Sequence, residues 1–173
     1  MGLLPQRILV AAVITSLVCF GLVTHAQVQR IGSWVYSPSQ DAMTNVDTSM
    51  IYAQAYDYPR GASGSALVIR CQRGAPYNVR LFFAADRYIG LAQRVPVTYR
   101  IGSAPPVEVV WDAASNNRAV FIPTDNQASF LRALRDNPQL VLRISASTES
   151  LTYRVDTTAL GGALLRLPCY TGP

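Results

Sequence analysis

The chain has no lysine and one histidine in 173 residues, so all 15 basic side chains are arginine. Without lysine there is no Schiff-base chemistry, no Ser–Lys dyad and no phosphate-gripping P-loop lysine. The one histidine, His25, falls in an N-terminal stretch with the pattern of a removable leader. Once it is removed, neither a Ser–His–Asp nor a Cys–His arrangement can be assembled. Glutamate is also scarce, with only Glu108 and Glu149 beside eight aspartates. Charged residues make up 14% of the chain and apolar residues 50%, which is not the balance of a disordered polymer. Neither a heptad nor a collagen repeat is present.

What is there begins with an address. Met1 to Arg7 carries one positive charge, Ile8 to Val23 is almost wholly apolar, and Thr24-His25-Ala26 ends the segment small-x-small. That is the pattern of a secretory signal peptide over residues 1–26, with cleavage after Ala26. The alternatives are an N-terminal anchor or a lipoprotein attached through Cys19. The apolar run of 16 residues is short of the roughly 20 that a spanning helix needs. Bulky Val18 stands where a lipoprotein signal would have a small residue. Cleavage leaves 147 residues, 27–173, as a single domain with 14 Arg against 10 acids, a net charge of +4. It also leaves two cysteines, Cys71 and Cys169, which in an exported chain read as one disulfide. Two unpaired buried thiols are the alternative. The expected location is the periplasm or the exterior.

Period-two alternation recurs along the remaining chain. Leu67, Ile69 and Cys71 share one face, and Val68, Arg70 and Gln72 the other. Val79-Leu81-Phe83, Val97-Tyr99-Ile101, Val107-Val109-Trp111, Leu140-Leu142-Ile144 and Leu151-Tyr153-Val155 repeat the pattern. Residues 34–37, 50–58 and 118–122 are three further strands. Loops are predicted at 59–64, 73–76 and 102–106, with a tight turn at Ser115-Asn116-Asn117. Thr124 and Gln127 have capping-box spacing, followed by a stripe of Gln127, Phe130, Leu131 and Leu134 that Pro138 terminates. A second helix is expected over 158–167, with Asp156, Thr157 and Thr158 offering capping oxygens and Gly161-Gly162 weakening it. The fold class is mainly β: an antiparallel β-sandwich or partly open barrel with two short helices, one at the C-terminus.

No catalytic residues, cofactor or metal site are expected. The two cysteines are consumed by the bridge, no D-x-D-x-D run is present, and the aspartates are scattered. Asp112 beside Trp111 reads as an exposed strand-end acid. A carboxylate pair could still run glycoside hydrolysis if two acids converged in a cleft. Arginine is the sharper feature: Arg70, Arg80, Arg100, Arg143 and Arg154 all fall on the non-core side of their strands. On neighbouring strands they would form a guanidinium band able to grip phosphate or carboxylate bidentately. Envelope glycolipid, cell-wall polymer or an acidic protein patch are candidate anions. The alternative is a solvated face whose arginines pair with Glu108 or Asp156 across strands. Tyr52, Tyr56 and Tyr58 share one face of a strand and are expected to pack into the core. A net charge of +4 and an exported location argue against nucleic acid.

Several segments together resemble a known family. Trp34, Ser37-Pro38 and Asp41-Ala42-Met43-Thr44 look like the start of the VasI/TagO-type proteins associated with type VI secretion. Leu67-Val68-Ile69-Arg70-Cys71, Val97-Thr98-Tyr99-Arg100-Ile101, Trp111 with Ser115 and Ala119-Val120-Phe121 follow in order. Phe130 to Leu134 and Val155 to Leu160, ahead of the last cysteine, complete the pattern. The chain departs from it at Gly102, where that pattern has Asp, and at Val155, where it has Phe. The resemblance implies a small β-rich periplasmic accessory or adaptor. It would act by binding an envelope or secretion-system protein, with no membrane span after cleavage and no catalytic residue to carry over.

Overall fold

The computed structural model describes residues 27–146 and 149–172. The expected leader, with Cys19 and His25, lies outside the described residues. The fold is mainly β and antiparallel. Ten strands follow in order: β1 (Gln29–Ile31), β2 (Trp34–Ser37), β3 (Met50–Tyr58), β4 (Gly61–Cys71), β5 (Val79–Ala84), β6 (Arg94–Ile101), β7 (Val107–Ala113), β8 (Ala119–Phe121), β9 (Gln139–Ser145) and β10 (Ser150–Asp156). Helix α1 (Thr124–Asp136) joins β8 to β9, and α2 (Leu160–Leu164) follows β10.

The hydrogen-bond ladder runs β3-β10-β9-β6-β7-β8-β5-β4 and returns to β3 through a β3–β4 pairing. Eight strands therefore form a closed ring. The β1–β2 hairpin lies outside it, pairing along the first half of β3 where β10 does not reach. Inward positions carry the residues that alternation selects: Ile51, Leu67, Ile69, Leu81, Phe83, Val97, Leu142, Ile144 and Val155 are all buried. Each such aliphatic or aromatic side chain contributes about 1.5–3 kcal/mol by leaving water.

The two ends of the ring are closed differently. Cys71, Val79, Ile101, Gln139 and Asp156 end or begin their strands on one side, and there α1 and α2 pack. Phe130 of α1 meets Tyr99 and Trp111 with ring centroids 5.1 and 5.8 Å apart. The Cys71–Cys169 disulfide, Cα atoms 5.8 Å apart, ties β4 to the segment after α2 on this side. The opposite end, where β3 turns into β4 and β9 into β10, is closed by charged side chains.

Three expectations are corrected. The loop expected over 59–64 shrinks to Pro59-Arg60, because β4 starts at Gly61; its exposed small residues pair with β3 across a bulge between Gln54 and Tyr56. Helix α2 is five residues long rather than ten. Asp156 takes the Thr158 amide at 2.9 Å, Ala159 turns left-handed at φ 64°, and regular helix begins only after that turn. The Thr124–Gln127 capping box does not form: Pro123 is the N-cap and no side chain caps the helix.

Candidate functional site

Register places three of the five arginines together. Across the outer wall, Tyr56 of β3 faces Arg154 of β10, Arg154 faces Val141 of β9, and Val141 faces Arg100 of β6. One step along the strands, Tyr58, Thr152, Arg143, Thr98 and Glu108 form a parallel row reaching β7. Strands lie about 4.8 Å apart and advance about 3.4 Å per residue. Arg100 and Arg154 are thus about 10 Å apart at Cα, with Arg143 about 8 Å from each. All three are exposed.

These guanidinium groups lack the carboxylate partners of the solvated-face alternative. Among the described residues no ion pair joins Arg100, Arg143 or Arg154 to Glu108 or Asp156. Arg143 Nε donates to Thr152 Oγ1 at 3.3 Å. Asp156 is occupied elsewhere, accepting from Ser33 Oγ at 2.6 Å and from the Thr158 amide. Burial works to raise its carboxyl pKa, but the Ser33 and Thr158 bonds outweigh it and hold the group below the ordinary carboxylate value. A depression of about 810 Å³ opens between Arg100 and Arg154, with Tyr56, Ser103, Asn137 and Gln139 in its walls. A second, of about 410 Å³, lies between Arg100 and Arg143 and reaches Glu108.

Arg70 and Arg80 do not join this group. They face each other across β4 and β5, and Arg70 is level with Met50, six residues up β3 from Tyr56. That separation is about 20 Å along the strand. Each is engaged locally: Arg70 lies 5.9 Å over the Phe82 ring and Arg80 5.1 Å over Phe121. Arg80 Nη1 also donates to Thr124 Oγ1 at 2.7 Å. The five arginines form a triangle and a separate pair, not one band.

The tyrosines reverse their expected placement. Ile51, Ala53, Ala55 and Asp57 take the inward positions of β3, so Tyr52, Tyr56 and Tyr58 point out. Tyr56 and Tyr58 are 53% and 69% exposed beside the arginine triangle.

Sequence reading missed the charged end of the ring. Asp57 is buried at the last inward position of β3 and accepts from Arg87 Nη2 at 2.9 Å and Arg60 Nη1 at 3.4 Å. Arg60 and Arg87 also reach Glu149, at 3.4 and 3.7 Å. Asp86 accepts from Ser65 Oγ at 3.0 Å and from the Gly64 amide at 3.3 Å, and Arg87 Nε lies 3.4 Å from it. Burial pushes the Asp86 carboxyl up, but the Ser65 hydroxyl, the Gly64 amide and Arg87 together bring it below its ordinary value. A general acid needs the opposite shift. The detectable signal was parity: a charged residue in phase with Ile51, Ala53 and Ala55. Tyr153, register partner of Asp57, is wholly buried, and burial raises its phenol pKa. Its hydroxyl and Asp57 Oδ1 have no hydrogen-bond partner among the described residues.

No group of three or more His, Cys, Asp or Glu side chains among the described residues is placed to hold a metal ion. Asp112 is exposed, next to buried Trp111. Neither a family model, a curated protein nor a solved structure matches the chain.

Proposed function

We propose that this chain is an exported binding protein whose outer wall across β3, β10, β9 and β6 holds an anionic partner. The observation that carries this reading is the triangle of Arg100, Arg143 and Arg154, unpaired with any carboxylate among the described residues although Glu108 and Asp156 are within the same rows or depressions. A guanidinium left in water keeps its donors available for a bidentate oxyanion, and its charge draws such a partner in. The closed ring supplies a rigid platform, since each strand of this wall is hydrogen-bonded on both edges. Export and a periplasmic setting agree with the disulfide and with the leader pattern. An accessory role in an envelope or secretion machine, implied by the VasI/TagO-type resemblance, would place the anion on such a machine or on the envelope around it.

The test uses charge-matched variants on a dextran sulfate column. Arg100→Gln with Arg143→Gln is expected to elute at clearly lower salt than the parent and to flatten the salt dependence. Arg70→Gln with Arg80→Gln removes the same charge but leaves the triangle intact, and is expected to elute near the parent. Equal loss in the two double variants would show that net charge alone governs retention and would overturn the proposal.

A further inference from the structure

The outer wall carries more than charge, and the accompanying groups narrow the ligand. We infer that the ligand is a carboxylate-bearing glycan, a chain of uronic-acid type, laid across the strands from β3 toward β6. This rests on the reading of the arginine triangle given above.

Three features select it. First, Tyr56 and Tyr58 stand at the β3 end of the two rows, exposed and level with Arg154 and Thr152. An aromatic face accepts the apolar C–H face of a sugar ring, while the phenol tip remains free to hydrogen-bond. Each row therefore reads ring-binding group first and then guanidinium. Second, the wall of the depression between Arg154 and Arg100 includes the Asp156 carboxylate, held by Ser33 and Thr158, together with the neutral amides and hydroxyl of Asn137, Gln139 and Ser103. These match the hydroxyl groups of a glycan and offer nothing particular to a bare polyanion. Third, the three arginines arise from Cα positions about 8–10 Å apart on β6, β9 and β10, and with Tyr58 they line one further depression of about 250 Å³. Planar carboxylates match the arginine fork, and three arginines on separate strands can take them one at a time. Glu108, at the far end of the second row, repels an anion and limits the site on the β7 side.

An acidic peptide is the competing occupant. The four strands of this wall offer no free backbone edge, so a peptide could not add as a strand and would rely on the same side chains.

Calorimetry with the processed protein would compare a galacturonate hexamer, its fully methyl-esterified form, poly-glutamate and inorganic polyphosphate, the two polyanions length-matched to six charges. The galacturonate hexamer is expected to bind at least tenfold tighter than either polyanion, and the ester to lose most of that affinity. Tyr56→Ala with Tyr58→Ala is expected to lower hexamer affinity about tenfold and to leave polyphosphate binding unchanged. Equal affinity for all anions, with the tyrosine changes silent, would overturn the glycan assignment while leaving the arginine wall standing. Tightest binding to poly-glutamate would overturn it in favour of a peptide. Failure of every anion to bind would overturn the arginine wall itself, and the glycan assignment with it.

Discussion

Replacing Gln127 by leucine should destabilise the protein as severely as opening a cavity in its core, without removing volume. Strand β5 pairs with β4 along its whole length, but its other edge meets β8 only from Phe82 onward. Gln127, fully buried on α1, completes the open stretch: its Oε1 accepts from the Leu81 amide at 3.1 Å and its Nε2 donates to the Val79 carbonyl. The side-chain amide thus stands in for a missing length of β8. Leucine fills the same space but strands both backbone groups, each at a cost of about 1–3 kcal/mol. A loss of about 4 kcal/mol, or about 12 °C in Tm for a domain of this size, is expected in urea and thermal unfolding followed by near-ultraviolet dichroism. Gln127→Glu sharpens the test. Ionised, it turns an oxygen toward the Val79 carbonyl, so burial and the facing dipole raise its folded-state pKa. An acid raised on folding costs stability above its unfolded value of about 4.3, and that cost disappears below it. This variant should therefore be weak at pH 7 and approach the parent at pH 3.5, both measured at the same pH. A leucine variant within about 1 kcal/mol of the parent would refute the edge-completion argument, as would a glutamate variant with no pH dependence of its own.

Two further outcomes follow from the same coordinates. Reducing the Cys71–Cys169 bridge, which spans 98 residues, should lower stability by about 4–5 kcal/mol in the loop-entropy account; an unchanged urea midpoint in reductant would contradict it. The Asp86 carboxyl is held below its ordinary value of 3.8, so its contribution is present above that pH and is lost as pH falls through the lower folded value. Asp86→Asn should flatten the acid limb of a stability–pH profile measured below pH 3.8, whereas a limb unchanged by the substitution would place the acid sensitivity elsewhere.

The strands were legible because burial on one face forces period two; the sets around Leu81 and Leu142 obey it throughout, and around Ile69 only Val68 departs, buried on the outer parity of β4. Partner choice was not legible. Period two says that Arg100, Arg143 and Arg154 point outward, but not that β6, β9 and β10 are adjacent while β4 and β5 lie elsewhere. The tyrosines misled because an aromatic on a strand usually packs, and only the parity of Ile51, Ala53 and Ala55 assigns them to the outside. Gln127 gave a visible signal, a polar residue on the apolar stripe of α1, which capping-box spacing explained away. Its true partners lie 46 and 48 residues distant, on a strand edge that no local rule reveals.

The order of strands around the ring has a temporal side. β10, the last of the strands among the described residues, sits between β9 and β3, and its pairing with β3 joins segments about a hundred positions apart. A chain emerging from its N-terminus can form the β3–β4 hairpin early, but the circle stays open until residues 150–156 arrive. A polypeptide ordered this way stays an open sheet until its tenth strand is in hand.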